Sequence, residues 1–146
     1  MFTDDHILRQ IAQLVAVLKK IAGFKNAGKY HEAYRVIDQS LEDLFSLDAG
    51  IIKQLDDTGL ASLLKGVYGI DHRKLYFLAS LLEAEGDVLA AQQRVPESQQ
   101  SYQQALDLLY QYSGDAEGDL HAEIATKIDE LEQKVTAQNQ DMKNLA

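Results

Sequence analysis

Cysteine is missing from this 146-residue chain, which removes disulfides, thiolate nucleophiles and thiolate metal ligands together. Proline occurs once, at Pro96, and 46% of the residues are hydrophobic, a balance that favours a packed globule over disorder. No apolar run approaches the roughly 18 residues that a membrane-crossing helix needs. The stretch MFTDDHILRQ has no basic segment ahead of an apolar core, so it does not read as a secretory leader, and a cytoplasmic protein is expected. Positive charge is scarce as well. Lysine and arginine number 14 against 23 acidic residues, a formal charge of −9, and the only local surplus is Lys19, Lys20, Lys25 and Lys29. Phosphate backbones are bound by clustered Lys and Arg that release counterions, so nucleic acid is not an expected partner. The negative charge serves solubility. Strand patterning is also lacking, since no alternating run lies between hairpin turns.

What is present is helical periodicity, over a length that fits a single domain, 1–146. Ile7, Ile11, Leu14, Leu18 and Ile21 stripe a first helix from Asp4 to about Asn26, capped by Thr3 or Asp4. After a turn at Ala27-Gly28, a second helix carries Tyr30, Ala33, Ile37, Leu41 and Leu44. Residues 48–70 are interrupted by Asp56-Asp57-Thr58-Gly59 and fit either two short helices or one kinked helix, with Asp48 as cap and Gly66 and Gly69 closing the segment. Asp71 caps a helix marked by Leu75, Leu78, Ala79, Leu82 and Leu89, and Pro96 opens another with Tyr102, Ala105, Leu109 and Tyr112. The last helix runs from about Asp119 to the end. From Ile128 through Leu131, Val135, Gln138, Met142 and Leu145 its gaps alternate three and four, a short heptad seam. That seam fits an edge helix laid on its own domain, or a homodimer contact. The expected fold is all-α, with about six helices.

Two stretches share one pattern. GKYHEAYRVIDQSL places Gly28 in a turn, then Tyr30, Ala33, Ile37 and Ser40 along a helix. LLEAEGDVLAAQQRVPESQQSYQQALDLL places Gly86 between Leu82 and Leu89, then Ser98, Tyr102 and Ala105 at 65 residues from Ala33, Ile37 and Ser40. Small residues let paired helices approach closely, and the bulky one fills the groove between pairs. This pattern resembles the tetratricopeptide repeat, and the opening DDHILRQIAQL is similar to the start of a small, uncharacterised bacterial family of such helical proteins. The resemblance implies antiparallel helical hairpins stacked in a right-handed α-α superhelix. A first hairpin would cover 4–47, a degenerate middle unit 48–70, a second hairpin 71–113 and a capping helix 119–146. The middle unit follows from the 65-residue spacing, which is close to two repeats of about 34 residues. The copies depart from the family pattern at Ile21, where glycine is usual, and at Gln93-Arg94-Val95-Pro96, a turn without glycine.

Catalytic and metal motifs fail on their spacing. HEAYR lacks the second histidine of a zinc helix, because Arg35 stands there, which leaves His31 and Glu32 as exposed polar residues. His6, His31, His72 and His121 lie in four separate segments. His121 with Glu117, Asp119 and Glu123 makes an acidic helix start, which suits the helix dipole better than it suits a hard cation. No Glu-x-x-His pair offers a carboxylate cage, Lys65 precedes Gly66 where a phosphate loop needs it to follow, and no Gly-x-Ser-x-Gly elbow occurs. The seven tyrosines sit mostly at core spacing. No cofactor, metal or catalytic residue is expected, and the chain does not read as an enzyme.

The resemblance instead implies a protein–protein interaction scaffold whose first helices line a concave peptide groove. Leu18, Ala22, Lys25 and Asn26 would come from the first hairpin, and Ser80, Glu83, Asp87 and Ala91 from the second. Glu83 and Asp87 there suit a basic segment of a partner, or form a solvated face. A homodimer through residues 128–145 is the alternative, and a small-ligand or metal-binding helical protein has the least support.

Overall fold

A computed structural model describes residues 4–145. Seven helices occur among them: α1 (Asp4–Asn26), α2 (Tyr30–Phe45), α3 (Ala49–Gln54), α4 (Asp57–Leu63), α5 (His72–Ala91), α6 (Val95–Tyr112) and α7 (Gly118–Asn144). Two-residue strands β1 (Lys65–Gly66) and β2 (Gly69–Ile70) stand between α4 and α5. The chain is thus mostly helical, as its periodicity implies. The cap expected at Thr3 lies outside the described residues, as does Ala146.

The apolar stripes become the core. Ile11, Leu14 and Ile21 of α1 are buried, as are Ala33, Ile37 and Leu41 of α2. Helix α5 is apolar on more than one side because it packs against α1, α2, α6 and α7 together, burying Leu75, Leu78, Leu81 and Val88. Of the small residues expected at helix crossings, Ala33, Ser98 and Ala105 have no exposed surface. Ser40 is half-buried and turns its hydroxyl back to donate to the Val36 carbonyl, 2.7 Å away. At Gly86 the approach is so close that a Cβ would lie 2.5 Å from Cε1 of Tyr102.

The two long hairpins are copies of one turn. Gly28 has φ +74° and Gln93, 65 residues on, has φ +63°. The next residues match as well, Lys29 at φ −91°, ψ 67° and Arg94 at φ −93°, ψ 66°. The hydrogen bonds repeat in register. Gly28 N–H donates to Lys25 O (3.0 Å) and Lys29 N–H to Phe24 O (2.8 Å); Gln93 N–H donates to Ala90 O and Arg94 N–H to Leu89 O, each at 2.9 Å. The second turn therefore does without glycine by forcing glutamine into the left-handed region, a conformation that costs side-chain-bearing residues about 1 kcal/mol or more. Replacing Gln93 with glycine is expected to raise the unfolding free energy by about 0.5–1 kcal/mol, whereas Gly28→Ala lowers it by a similar amount. Urea denaturation of the two variants checks both signs.

Residues 48–70 form two short helices, not one kinked helix. Asp48 caps α3 through Gly50 N–H, Asp56 caps α4 through Gly59 N–H, both at 2.8 Å, and the chain is extended at Leu55 and Asp56 between them. The strands pair antiparallel, Lys65 with Ile70 and Gly66 with Gly69, a ladder too short to leave any alternation in the sequence. Both α1 and α2 pack directly on α5, so the hairpins adjoin and 48–70 lies beside them. Its Ile52, Leu60 and Leu64 enter the common core, and Lys53 ties α3 to its neighbours, 2.6 Å from Asp38 of α2 and 3.6 Å from Glu85 of α5.

Candidate functional site

Six of the eight residues expected on a concave face meet in one small cavity of about 80 Å³. Leu18, Ala22 and Lys25 of α1 face Ser80, Glu83 and Asp87 of α5 across it, with Ile21 and Ala84 completing the lining. Helix register explains the meeting. Positions 18, 22 and 25 are separated by four and three residues, and 80, 83 and 87 by three and four, so each set shares one face. Asn26 and Ala91 are exposed outside the cavity.

The chemistry of that face differs from a solvated acidic surface. Ser80 is fully buried, its hydroxyl donating to the Tyr76 carbonyl at 2.8 Å, and Glu83 is only 5% exposed. The cations opposite the acids belong to α7. Lys127 Nζ donates to Glu83 Oε1 at 2.6 Å, and Lys134 Nζ stands 3.1 Å from Glu83 Oε2 and 2.9 Å from Asp87 Oδ1. Lys127 also lies 5.9 Å from the Tyr76 ring centre, and Lys134 lies 5.7 Å from that of Tyr102, within cation–π range. Tyr102 donates its phenol to Asp87. Beyond it, Gln138 donates to Ser98 Oγ (2.9 Å), which donates to the Gly86 carbonyl (2.7 Å). The basic segment that Glu83 and Asp87 suit is thus the chain's own last helix. Lys25 is the charged side chain of the cavity with no ion pair among the described residues.

These contacts shift protonation in one direction. Burial pulls Lys127 and Lys134 down, but Glu83 with Glu130, and Asp87 with Glu83, more than offset it and hold both ammonium groups above their ordinary 10.5. Burial, then Asp87, pushes the Tyr102 phenol far above its ordinary 10.0, and burial followed by nearby Glu123 raises Tyr76 despite Lys127. All four groups keep their protons longer folded than unfolded. Their contribution is therefore complete below about pH 10 and is lost as the pH climbs through the folded values, because the unfolded chain releases protons first. Urea midpoints should hold steady across neutral pH and fall from about pH 10 upward, and Tyr102→Phe should flatten that fall. A midpoint constant to pH 11.5 or so in the native chain contradicts this linkage.

The C-terminal seam is largely spent inside the molecule. Leu131 is fully buried, and Ile128, Val135 and Gln138 are half-buried against α5 and α6, leaving Met142 and Leu145 exposed at 42% and 87%. His31, Glu32 and Arg35 are exposed, and among the described residues no group of three His, Asp or Glu side chains stands close enough to hold a metal ion. Tyr76 and Tyr102 are core residues, whereas Tyr68 and Tyr110 are exposed. Sequence reading passed over Lys127 and Lys134. A signal was there, because both flank Leu131 at helical spacing, on the face of α7 that carries its apolar stripe.

No described helix is long and apolar enough to cross a membrane. The chain matches no known protein-family profile, no curated protein and no solved structure.

Proposed function

We propose that the protein is a tetratricopeptide-like interaction scaffold, acting in the cytoplasm without catalytic chemistry of its own. The observation that carries this reading is the doubled hairpin, the same turn dihedrals and hydrogen bonds recurring 65 residues apart. Stacked copies of one hairpin are an economical way to hold several helix faces at fixed spacing for a partner. The concave side offers Lys25, half-buried, with Asn26 exposed beside it, while the acids opposite are neutralised by α7. An acidic group on a protein partner complements that arrangement better than the basic segment suggested by Glu83 and Asp87 alone.

Affinity purification of the tagged chain from its native host, with Lys25→Glu/Asn26→Ala alongside, tests the reading. A protein retained by the native chain and lost from the variant supports it. Equal recovery on both removes the concave face as the binding surface, and recovery of nothing on either removes the scaffold reading.

A further inference from the structure

The internal repeat identifies a face that is covered in one hairpin and open in the other. In the register of the two turns, Val17 and Phe24 of α1 correspond to Leu82 and Leu89 of α5, and Asp43 of α2 to Leu108 of α6. In the second hairpin this side is more closed: Leu89 and Leu108 are buried, Leu82 is half-buried like Val17, and Tyr34 of α2 reaches across to donate to Gln92 at 2.6 Å. In the first hairpin the same side is a trough. Two adjoining cavities of about 480 and 280 Å³ share Val17, Ser40 and Asp43, with Phe24 and Val36 in one and Leu44 and Phe77 in the other. Val17, Phe24, Val36 and Leu44 are all half-buried there.

We propose that a second copy of this chain covers the trough, its α2 lying antiparallel along α2 of the first. The charge pattern selects this occupant. A two-fold contact must be self-complementary, each residue meeting its opposite number's partner. Arg35 and Asp43 are both exposed and make no ion pair among the described residues, and each lies four residues from Gln39. With the axis at Gln39, antiparallel helices set Arg35 of each copy beside Asp43 of the other, both about 6 Å from the centre at 1.5 Å per residue. An unrelated helix docking antiparallel here would need the same basic-then-acidic spacing of eight residues; a second copy carries it by symmetry. This contact does not depend on the concave-face reading, which concerns Lys25 on the other side of α1.

Sedimentation velocity of the full chain, from micromolar to near-millimolar concentration, tests the proposal. The native chain should pass from monomer to dimer. Arg35→Glu and Asp43→Arg each juxtapose like charges twice, so each should weaken association at least about tenfold while leaving the helical circular dichroism unchanged. The double variant Arg35→Glu/Asp43→Arg restores both pairs with their signs exchanged and should dimerise again, as should an equimolar mixture of the single variants. A native chain that stays monomeric throughout overturns the proposal, whatever the purification from the host recovers. So does a dimer that ignores both single variants, or one that is lost only when residues 140–146 are removed, since those results place the contact elsewhere.

Discussion

Lys127→Met should destabilise the protein by about 3 kcal/mol, while Glu83→Met/Lys127→Met should lie within about 1 kcal/mol of the native chain. The asymmetry follows from where the charges sit. The side chains of Lys127 and Glu83 are 8% and 7% exposed, so removing the ammonium strands a carboxylate in a site that water scarcely reaches. Lys134, 3.1 Å from the other oxygen of Glu83, tempers the loss and places the expected figure at the low end of the range for a broken buried pair. Removing both charges eliminates the desolvation that each brings, and two methionines refill the space with apolar volume. Lys134 remains paired with Asp87 in either variant. Urea unfolding of the three proteins decides the matter. A single-variant loss below about 1 kcal/mol would mean that the pair behaves as if it were at the surface.

The other large effect is expected at Gly86. Alanine is the better helix former by about 1 kcal/mol, yet Gly86→Ala should be net destabilising, and Gly86→Leu should cost about 3 kcal/mol or more. The new Cβ would stand 2.5 Å from Tyr102 Cε1 and 2.7 Å from Cδ1. The ring has no easy retreat. Tyr102 is 3% exposed, its hydroxyl is held by Asp87, and Lys134 lies across its face. Separation of α5 from α6 is then the remaining way to relieve the clash, and these two helices are the most extensively packed pair among the described residues. Because the strain is between two named side chains, Tyr102→Ala should accept Gly86→Leu almost freely. The double-mutant cycle should show a favourable coupling of at least about 2 kcal/mol. Additive effects would show that the interference is with the backbone and not with the ring.

Much of the architecture was legible because it rests on short-range rules. The spacing of Ala33 with Ile37, and of Ser98 with Tyr102 and Ala105, picked out residues that are buried. Asp48 and Asp71 were identified as caps, and both accept hydrogen bonds from the first turn of the helix that follows. Other features are invisible to periodicity. Two paired residues per strand produce no alternation, so β1 and β2 left no trace beyond Gly66 and Gly69. Gln93 gave no hint of its left-handed backbone, because side-chain identity signals that conformation reliably only when it is glycine. The 65-residue spacing alone cannot tell a unit from an insertion, because an insertion of about one unit's length has the same arithmetic as a unit. For the candidate site, α1 and α5 could be aligned from their own registers. That α7 would turn Lys127 and Lys134 onto Glu83 and Asp87, 44 and 47 residues before them, depends on how that helix docks, which no local pattern encodes.

Contacts along α2 and α5 run in opposite order, Tyr34 with Gln92, then Asp38 near Glu85 through Lys53, then Leu44 near Phe77. The end of α2 therefore already lies close to the beginning of α5, and the chain between them is a side branch, not a strut. The entropy of closing such a loop grows only logarithmically with its length, so extra residues on the branch burden the trunk little. Its outermost point, Val67 and Tyr68, is 90% and 101% exposed. That tip is where a fluorophore or a grafted epitope can be carried while both hairpins keep their pairing.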